Sequence, residues 1–298
     1  MLATKLILDT DIGTDVDDAW ALALCLASPE IDLLGVTLVY ADLETRAKIA
    51  LKMLKLAGRA GVPVYKGISE PMTPGLTPYW PGHEGTDTDF SDIEGLSAKE
   101  GAVDFILKTV KKYPGEVVVA PIGPLTNIAA AIERDPETMR QVKRFAIMGS
   151  TYNGEGVENA GVEHNINCDP VAAKIVYESG IPATSVGLNV TGKVTIRRDD
   201  LAPIKATPFG RYLAAMTEQL YGIWGRDYAY MHDPLAVATV IDPSLVTTRR
   251  MRAEVLDAGK IAFVSDAAGS LDVCVDVDVE RFEQLLRERV RSLSEGDG

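Results

Sequence analysis

Cysteine is scarce in this sequence. Its 298 residues include three, Cys25, Cys168 and Cys274, far apart and with no CxxC pair. An odd, scattered set argues against a disulfide framework or a zinc ribbon, and the expected setting is a reducing cytoplasm with free thiols. Positive charge is short as well. Lys and Arg number 30 against 43 Asp and Glu, a formal charge of −13. A general phosphate-backbone binder needs a basic face, so nucleic acid is not an expected partner. No apolar run approaches the roughly 18 residues of a membrane span, so no membrane partner is expected either. The opening stretch, MLATKLILDTDIGTD, passes from a short apolar run straight into acids. It lacks the charged start and small-residue cleavage site of a secretory leader. Histidine is limited to His83, His164 and His232, all in Gly-, Pro- or acid-rich surroundings.

What is present is ordinary globular material, 46% hydrophobic and 24% charged, enough for a large core. Continuous apolar runs at 5–8, 31–40, 62–65, 116–120, 142–148 and 183–188 read as buried parallel strands. Helical spacing recurs over 16–27, 45–56, 100–112, 125–133 and 170–179, the last opened by Asp169-Pro170 as cap and first residue. Further helices are expected over 208–224, 234–241 and 279–293. Strands at 247–256, 261–264 and 270–277 close the sheet, the first two as a hairpin around residues 257–259. Two stretches break the rhythm. Residues 67–98 are rich in Pro and Gly, and 149–167 in Gly and Asn. Long irregular stretches of this kind are commonly functional. No repeat or linker divides the chain, so the expectation is one α/β domain over 1–298, mainly parallel with an antiparallel extension.

The densest chemistry is Asp9-Thr10-Asp11-Ile12-Gly13-Thr14-Asp15-Val16-Asp17-Asp18, five carboxylates where a strand gives way to a helix. Ligands of open α/β sheets bind beyond the carboxyl ends of strands. Five acids there repel one another unless a hard cation bound by oxygen lies between them. Favourable interaction with the helix dipole would account for two of the five. The spacing does not fit an EF-hand, whose Gly would fall on Thr14 or Val16. Asp9-Thr10-Asp11-Ile12 also fits the DxDx of haloacid-dehalogenase-type phosphatases, with Asp9 as nucleophile, but that leaves Asp15, Asp17 and Asp18 unused.

Two further segments carry polar groups. His232-Asp233-Pro234-Leu235-Ala236 opens an apolar helix. The run from Asn159 to Pro170 gathers amides and carboxylates suited to reading hydroxyls. Trp80, His83, Trp224, Tyr228 and Tyr230 lie in or beside irregular segments, where aromatic rings could stack on a base or simply fill core.

Together these features resemble the nucleoside hydrolase family of the inosine-uridine-preferring type. The chain carries Asp9-Thr10-Asp11-Ile12-Gly13 with Asp17-Asp18 for its DxDxGxDD signature, and Pro121-Ile122-Gly123-Pro124-Leu125-Thr126-Asn127 for its central turn. Glu163-His164-Asn165-Ile166 with Asp169-Pro170 is similar to its EFNxxxDP segment, and His232-Asp233-Pro234-Leu235-Ala236 to its HDPLA motif. The resemblance spans about residues 5–290 and implies a Rossmann-like sheet, one Ca²⁺ and cleavage of the N-glycosidic bond of ribonucleosides. It implies Asp11, Asp18, Asp233 and the carbonyl of Ile122 as metal ligands, and Asp11 as the base that takes a proton from the attacking water. It places Asp17, Asn159, Glu163, Asn165 and Asp233 on the ribose, with Asp42 where many members have Asn. His232 falls on the side of the leaving base, with Trp80, His83 and Tyr228 as candidates for that pocket, and the assembly implied is a homodimer or homotetramer. Two departures stand out: Asp15 rides on a two-residue insertion, and His164 replaces Phe. A ribose or nucleoside binder without turnover is the non-enzymatic alternative.

Overall fold

The computed structural model describes residues 3–158 and 163–295. Twelve strands run in chain order as β1 (Thr4–Thr10), β2 (Ile31–Leu38), β3 (Val64–Lys66), β4 (Lys99–Glu100), β5 (Val118–Pro121), β6 (Arg144–Met148), β7 (Ala183–Val186), β8 (Thr195–Arg197), β9 (Tyr228–Tyr230), β10 (Val246–Val255), β11 (Ile261–Ser265) and β12 (Leu271–Val277). Ten of them form one sheet in the order β11-β10-β12-β7-β6-β5-β1-β2-β3-β4. From β12 to β4 every neighbouring pair is parallel, and β10 pairs antiparallel with both β11 and β12. The expected mainly parallel sheet with an antiparallel extension is the observed one.

Burial explains the strand sequences. Leu6, Ile7 and Leu8 of β1 have no exposed surface, because apolar clusters cover both faces of the sheet. Helix Asp17–Ala27 is buried on nearly every side, lying against the sheet, helix His232–Ile241 and helix Val279–Glu295. Its Trp20 donates from Nε1 to Thr217 Oγ1 at 3.0 Å and so ties it to helix Pro208–Trp224.

The expected elements appear within a few residues of their places. Pro208–Trp224 falls where the spacing sets it, and the turn Asp257–Gly259 joins β10 to β11. The expected strand at 116–120 begins only at Val118, since Gly115 (φ 76°) and Glu116 still belong to a turn. Short pieces escaped the periodicity. The stretch 149–167 contains the start of helix His164–Cys168. After residue 188 come helix Leu188–Thr191, a 3₁₀ turn at Arg198–Ile204, and the ribbon of β8 and β9. Three to seven residues show no usable period.

That ribbon has a purpose in the fold. β9 runs antiparallel to β8, and Met231 N donates to the Val194 carbonyl at 3.1 Å, delivering His232 and Asp233 to the top of the sheet. Segment 67–98 is irregular as expected, with one 3₁₀ turn at Ser91–Ile93. It is pinned at several points. Asp169 accepts from Met72 N (2.8 Å), Thr73 N (3.1 Å) and Thr73 Oγ1 (2.7 Å), and the Tyr40 hydroxyl accepts from Tyr79 N (2.8 Å). Among the described residues no helix is long and apolar enough to cross a membrane.

Candidate active site

β1 has β2 on one side and β5 on the other, and the chain winds away from it in both directions. Such a switch point opens a crevice beyond the strand ends. Ile122 N donates to the Asp9 carbonyl at 2.8 Å and holds the exit of β5 against that of β1. The two run so close that a Cβ on Gly123 would stand 2.7 Å from Asp11 Oδ1 and 2.9 Å from its N, which only glycine avoids. After Asp11 the loop turns at Gly13 (φ 126°) into helix Asp17–Ala27, whose first turn carries Asp17 and Asp18. Helix His232–Ile241 brings its own first turn alongside, and Asp233 N donates to Asp17 Oδ2 at 3.3 Å. Two positive helix ends thus meet over the acids.

Oxygens of Asp17, Asp18 and Asp233 lie within 4.8 Å of one another, and all three residues are buried. Thr10 Oγ1 donates to Asp18 and fixes one of its oxygens. Burial first, and the neighbouring carboxylates next, hold Asp17, Asp18 and Asp233 well above the usual carboxylate range. Asp15 is pushed up to about 6 by burial, against the hydrogen bond from Val16 N and the charge of Arg226. Buried, mutually repelling, oxygen-only donors suit a hard divalent cation. Asp11 borders the same cavity, as does Ile122, whose carbonyl accepts from Asn165 Nδ2 at 2.7 Å.

The cavity above the acids encloses about 340 Å³, with Asp11, Asp17, Glu163, Asn165, His232 and Asp233 on its wall. Glu163 caps helix His164–Cys168. Its carboxylate accepts from Asn165 N (2.9 Å), Ile166 N (3.1 Å) and Ser150 N (3.3 Å), yet burial still raises its pKa. His232 Nδ1 lies 2.7 Å from Thr191 Oγ1. Burial, helped by the charge of Arg226, lowers the imidazole to about 4, so it is neutral at pH 7.

Several expected residues stand elsewhere. Asp42 is exposed and caps helix Leu43–Leu56, accepting from Glu44 N (3.0 Å) and Thr45 N (3.2 Å), and it stands off the cavity wall. Trp80 faces Arg46, with 5.1 Å between the guanidinium carbon and the ring centroid. His83 Nε2 contacts the Thr14 carbonyl at 2.9 Å in a neighbouring crevice. Tyr228 packs edge-on against Tyr230 and beside Arg226, off the cavity wall. Asn159 lies outside the described residues. Asp9 also leaves the set. It is fully buried, accepts from Thr37 and from Asn127 Nδ2 (2.8 Å), and burial pushes its carboxyl up to about 7. A carboxyl sealed in the core cannot attack phosphorus, so the phosphatase reading fails. Tyr79, His164, Leu188 and Trp224 line the cavity instead. Of these, Trp224 was among the aromatics singled out from the sequence. Tyr79, one residue from Trp80, had no signal to set it apart. Arg46 and Thr191 were missed because a cation or a hydroxyl inside an amphipathic segment reads as surface.

Fold and site define an open α/β protein with a buried carboxylate cluster at its switch point. The profile of the inosine-uridine preferring nucleoside hydrolases matches residues 6–284, and the chain belongs to that family. It is 33% identical to uridine nucleosidase 1 of Arabidopsis thaliana over 264 residues, covering 83% of this chain and 76% of that one. It is 32% identical to the pyrimidine-specific ribonucleoside hydrolase RihA of Citrobacter koseri, covering 97% and 98%. The solved purine-preferring ribonucleoside hydrolase from Gardnerella vaginalis superimposes with a TM-score of 0.84 at 34% identity, covering 98% and 99%. The reaction is therefore hydrolysis of the N-glycosidic bond of ribonucleosides, and the protein is an N-glycosidase.

Proposed function

We propose that the chain cleaves ribonucleosides with Ca²⁺ held by Asp11, Asp18, Asp233 and the Ile122 carbonyl, and with Asp11 as general base. The convergence of buried carboxylates from two helix ends on a nucleoside-sized cavity carries this reading. Asp17, which shares the close triplet, would serve the sugar beside the cation. A dication bound there supplies the charge the acids lack and acidifies an attacking water. Asp11 accepts the proton as the water oxygen bonds to C1′ and the C1′–N bond breaks. Positive charge develops on the sugar ring, and the carboxylates of Asp17, Glu163 and Asp233 stabilise it. Asp17, Glu163, Asn165 and Asp233 are the donors and acceptors for ribose hydroxyls. The electron pair leaves with the base. If the Thr191 hydroxyl donates to Nδ1 of the neutral His232, the ring proton sits on Nε2, available to the departing nitrogen.

The related proteins are named for uridine, pyrimidines and purines. A panel of purine and pyrimidine nucleosides, scored for released reducing sugar with and without chelator, therefore tests both reaction and base. Free base and ribose appearing only with metal support the reading. Saturable nucleoside binding without release would leave a binder in its place. The setting proposed is cytoplasmic, in keeping with three buried free cysteines, and the assembly a homodimer or homotetramer, which light scattering reads directly.

A further inference from the structure

A buried cation stands behind the acidic cluster. Arg46, on helix Leu43–Leu56, has no exposed surface. Its Nε donates to the Tyr40 carbonyl at 2.7 Å and its Nη1 to the Ile12 carbonyl at 3.0 Å. Nη2 lies 3.5 Å from Thr14 Oγ1 and 3.7 Å from Asp11 Oδ2. The face of Trp80, from segment 67–98, covers the guanidinium at 5.1 Å.

The contacts with Ile12, Thr14 and Asp11 bear on Asp11 and the loop after it, and the contact with Tyr40 ties the same guanidinium to the exit of β2. Tyr40 (φ 69°) and Ala41 (φ 59°) hold left-handed backbone that residues with a Cβ adopt only under constraint. Ile12 and Thr14 belong to the loop that carries the inserted Asp15 toward Asp17. Asp11 sits between two neighbours, with Oδ1 against Gly123 and Oδ2 toward Arg46.

We propose that Arg46 is a positioning residue for N-glycosidic hydrolysis, holding Asp11 and the loop of residues 12–16 in the reactive arrangement, with Trp80 as the lid of that guanidinium and not a stacking partner for the base. This rests on the reading of Asp11 as general base. The planar fork reaches two carbonyls and a carboxylate at once, which a lysine ammonium does not reproduce. Taking it away leaves buried groups unpaired. A displacement of about 1 Å at a reacting group can lower turnover by about 10²-fold.

The test compares Arg46→Lys, Arg46→Ala and Trp80→Leu with the unaltered enzyme, on one purine and one pyrimidine ribonucleoside that it cleaves. Both Arg46 variants are expected to lose kcat by about 10²-fold, with KM held within about threefold. Millimolar guanidinium should restore part of the kcat of Arg46→Ala and leave the unaltered enzyme unchanged. Trp80→Leu should lower kcat by the same factor on both bases. Melting temperatures of the metal-free proteins are followed alongside, and if Arg46→Ala does not fold, Arg46→Lys and Trp80→Leu decide. An Arg46→Lys enzyme with full kcat overturns the proposal. So does a folded Arg46→Ala that guanidinium does not help, or a Trp80→Leu enzyme that loses KM for one base alone. An unaltered protein that cleaves no nucleoside fails earlier, and brings down the parent reading rather than this step alone.

Discussion

Carboxylates in this chain differ in role by what surrounds them. Asp9, Asp11 and Asp18 are close in sequence. The first is sealed in the core, the second borders the cavity, and the third joins a buried triplet. The sequence led to the expectation of a cation among five acids, because repulsion depends only on their number and closeness, and the structure brings three carboxylates together, Asp17 and Asp18 of the run with Asp233. It could not show that Asp9 turns inward, since that depends on Thr37 and Asn127, far along the chain. Asp11→Asn keeps shape and hydrogen-bonding capacity but removes the proton acceptor. Its kcat should fall by roughly 10²–10⁴, the usual share of a general base, with the cavity intact. Steady-state kinetics checks this, and a variant within about threefold of the unaltered enzyme sinks the assignment.

Elements place these residues, and caps fix the elements. Asp169 was legible as the cap of helix Pro170–Tyr177 from Asp-Pro alone, and it accepts from Ala172 N at 3.2 Å. Its further grip on Met72, Thr73 and Thr126 was not legible, because those partners come from other elements. Asp42 gives the converse lesson. The resemblance put it on the ribose, whereas the chain uses it to start helix Leu43–Leu56. Asp42→Ala should cost about 0.5–1 kcal/mol of stability, an exposed N-cap's worth, while kcat/KM is unchanged. Hydrogen bonds from Thr45 and Glu44 outweigh burial and hold the Asp42 carboxyl below its ordinary 3.8. Its contribution is then present above the unfolded value and lost as pH falls through the lower folded one. Thermal melts of both proteins across acid pH should show the gap closing at the low end. A loss of activity at full stability would return Asp42 to the sugar.

For the molecule as a whole, the parallel sheet was readable from its apolar runs and the site's residues from their motifs, but their meeting came only through the resemblance, because no local pattern reports that the ends of two distant helices meet. The closing of that distance is also where a cation should act on stability. Bound only to the folded chain at a hundredfold excess over Kd, it adds about 2.7 kcal/mol. Chelation should lower Tm and Ca²⁺ should restore it, measured by calorimetry, while Asp18→Ala should respond to neither. An unaltered protein whose Tm ignores both would refute the metal site.

The hydrogen bond from Asp233 to Asp17 joins residues 216 positions apart. At about 5–20 residues per second, the ribosome would make the second partner roughly 10–40 s after the first. Throughout that interval the first acids wait without Asp233 and without the helix that closes over them. On the proposed reading, cation capture waits until Asp233 has been made. A chain released before residue 233 would carry every acid on the cavity wall but one, without the helix that completes the triplet.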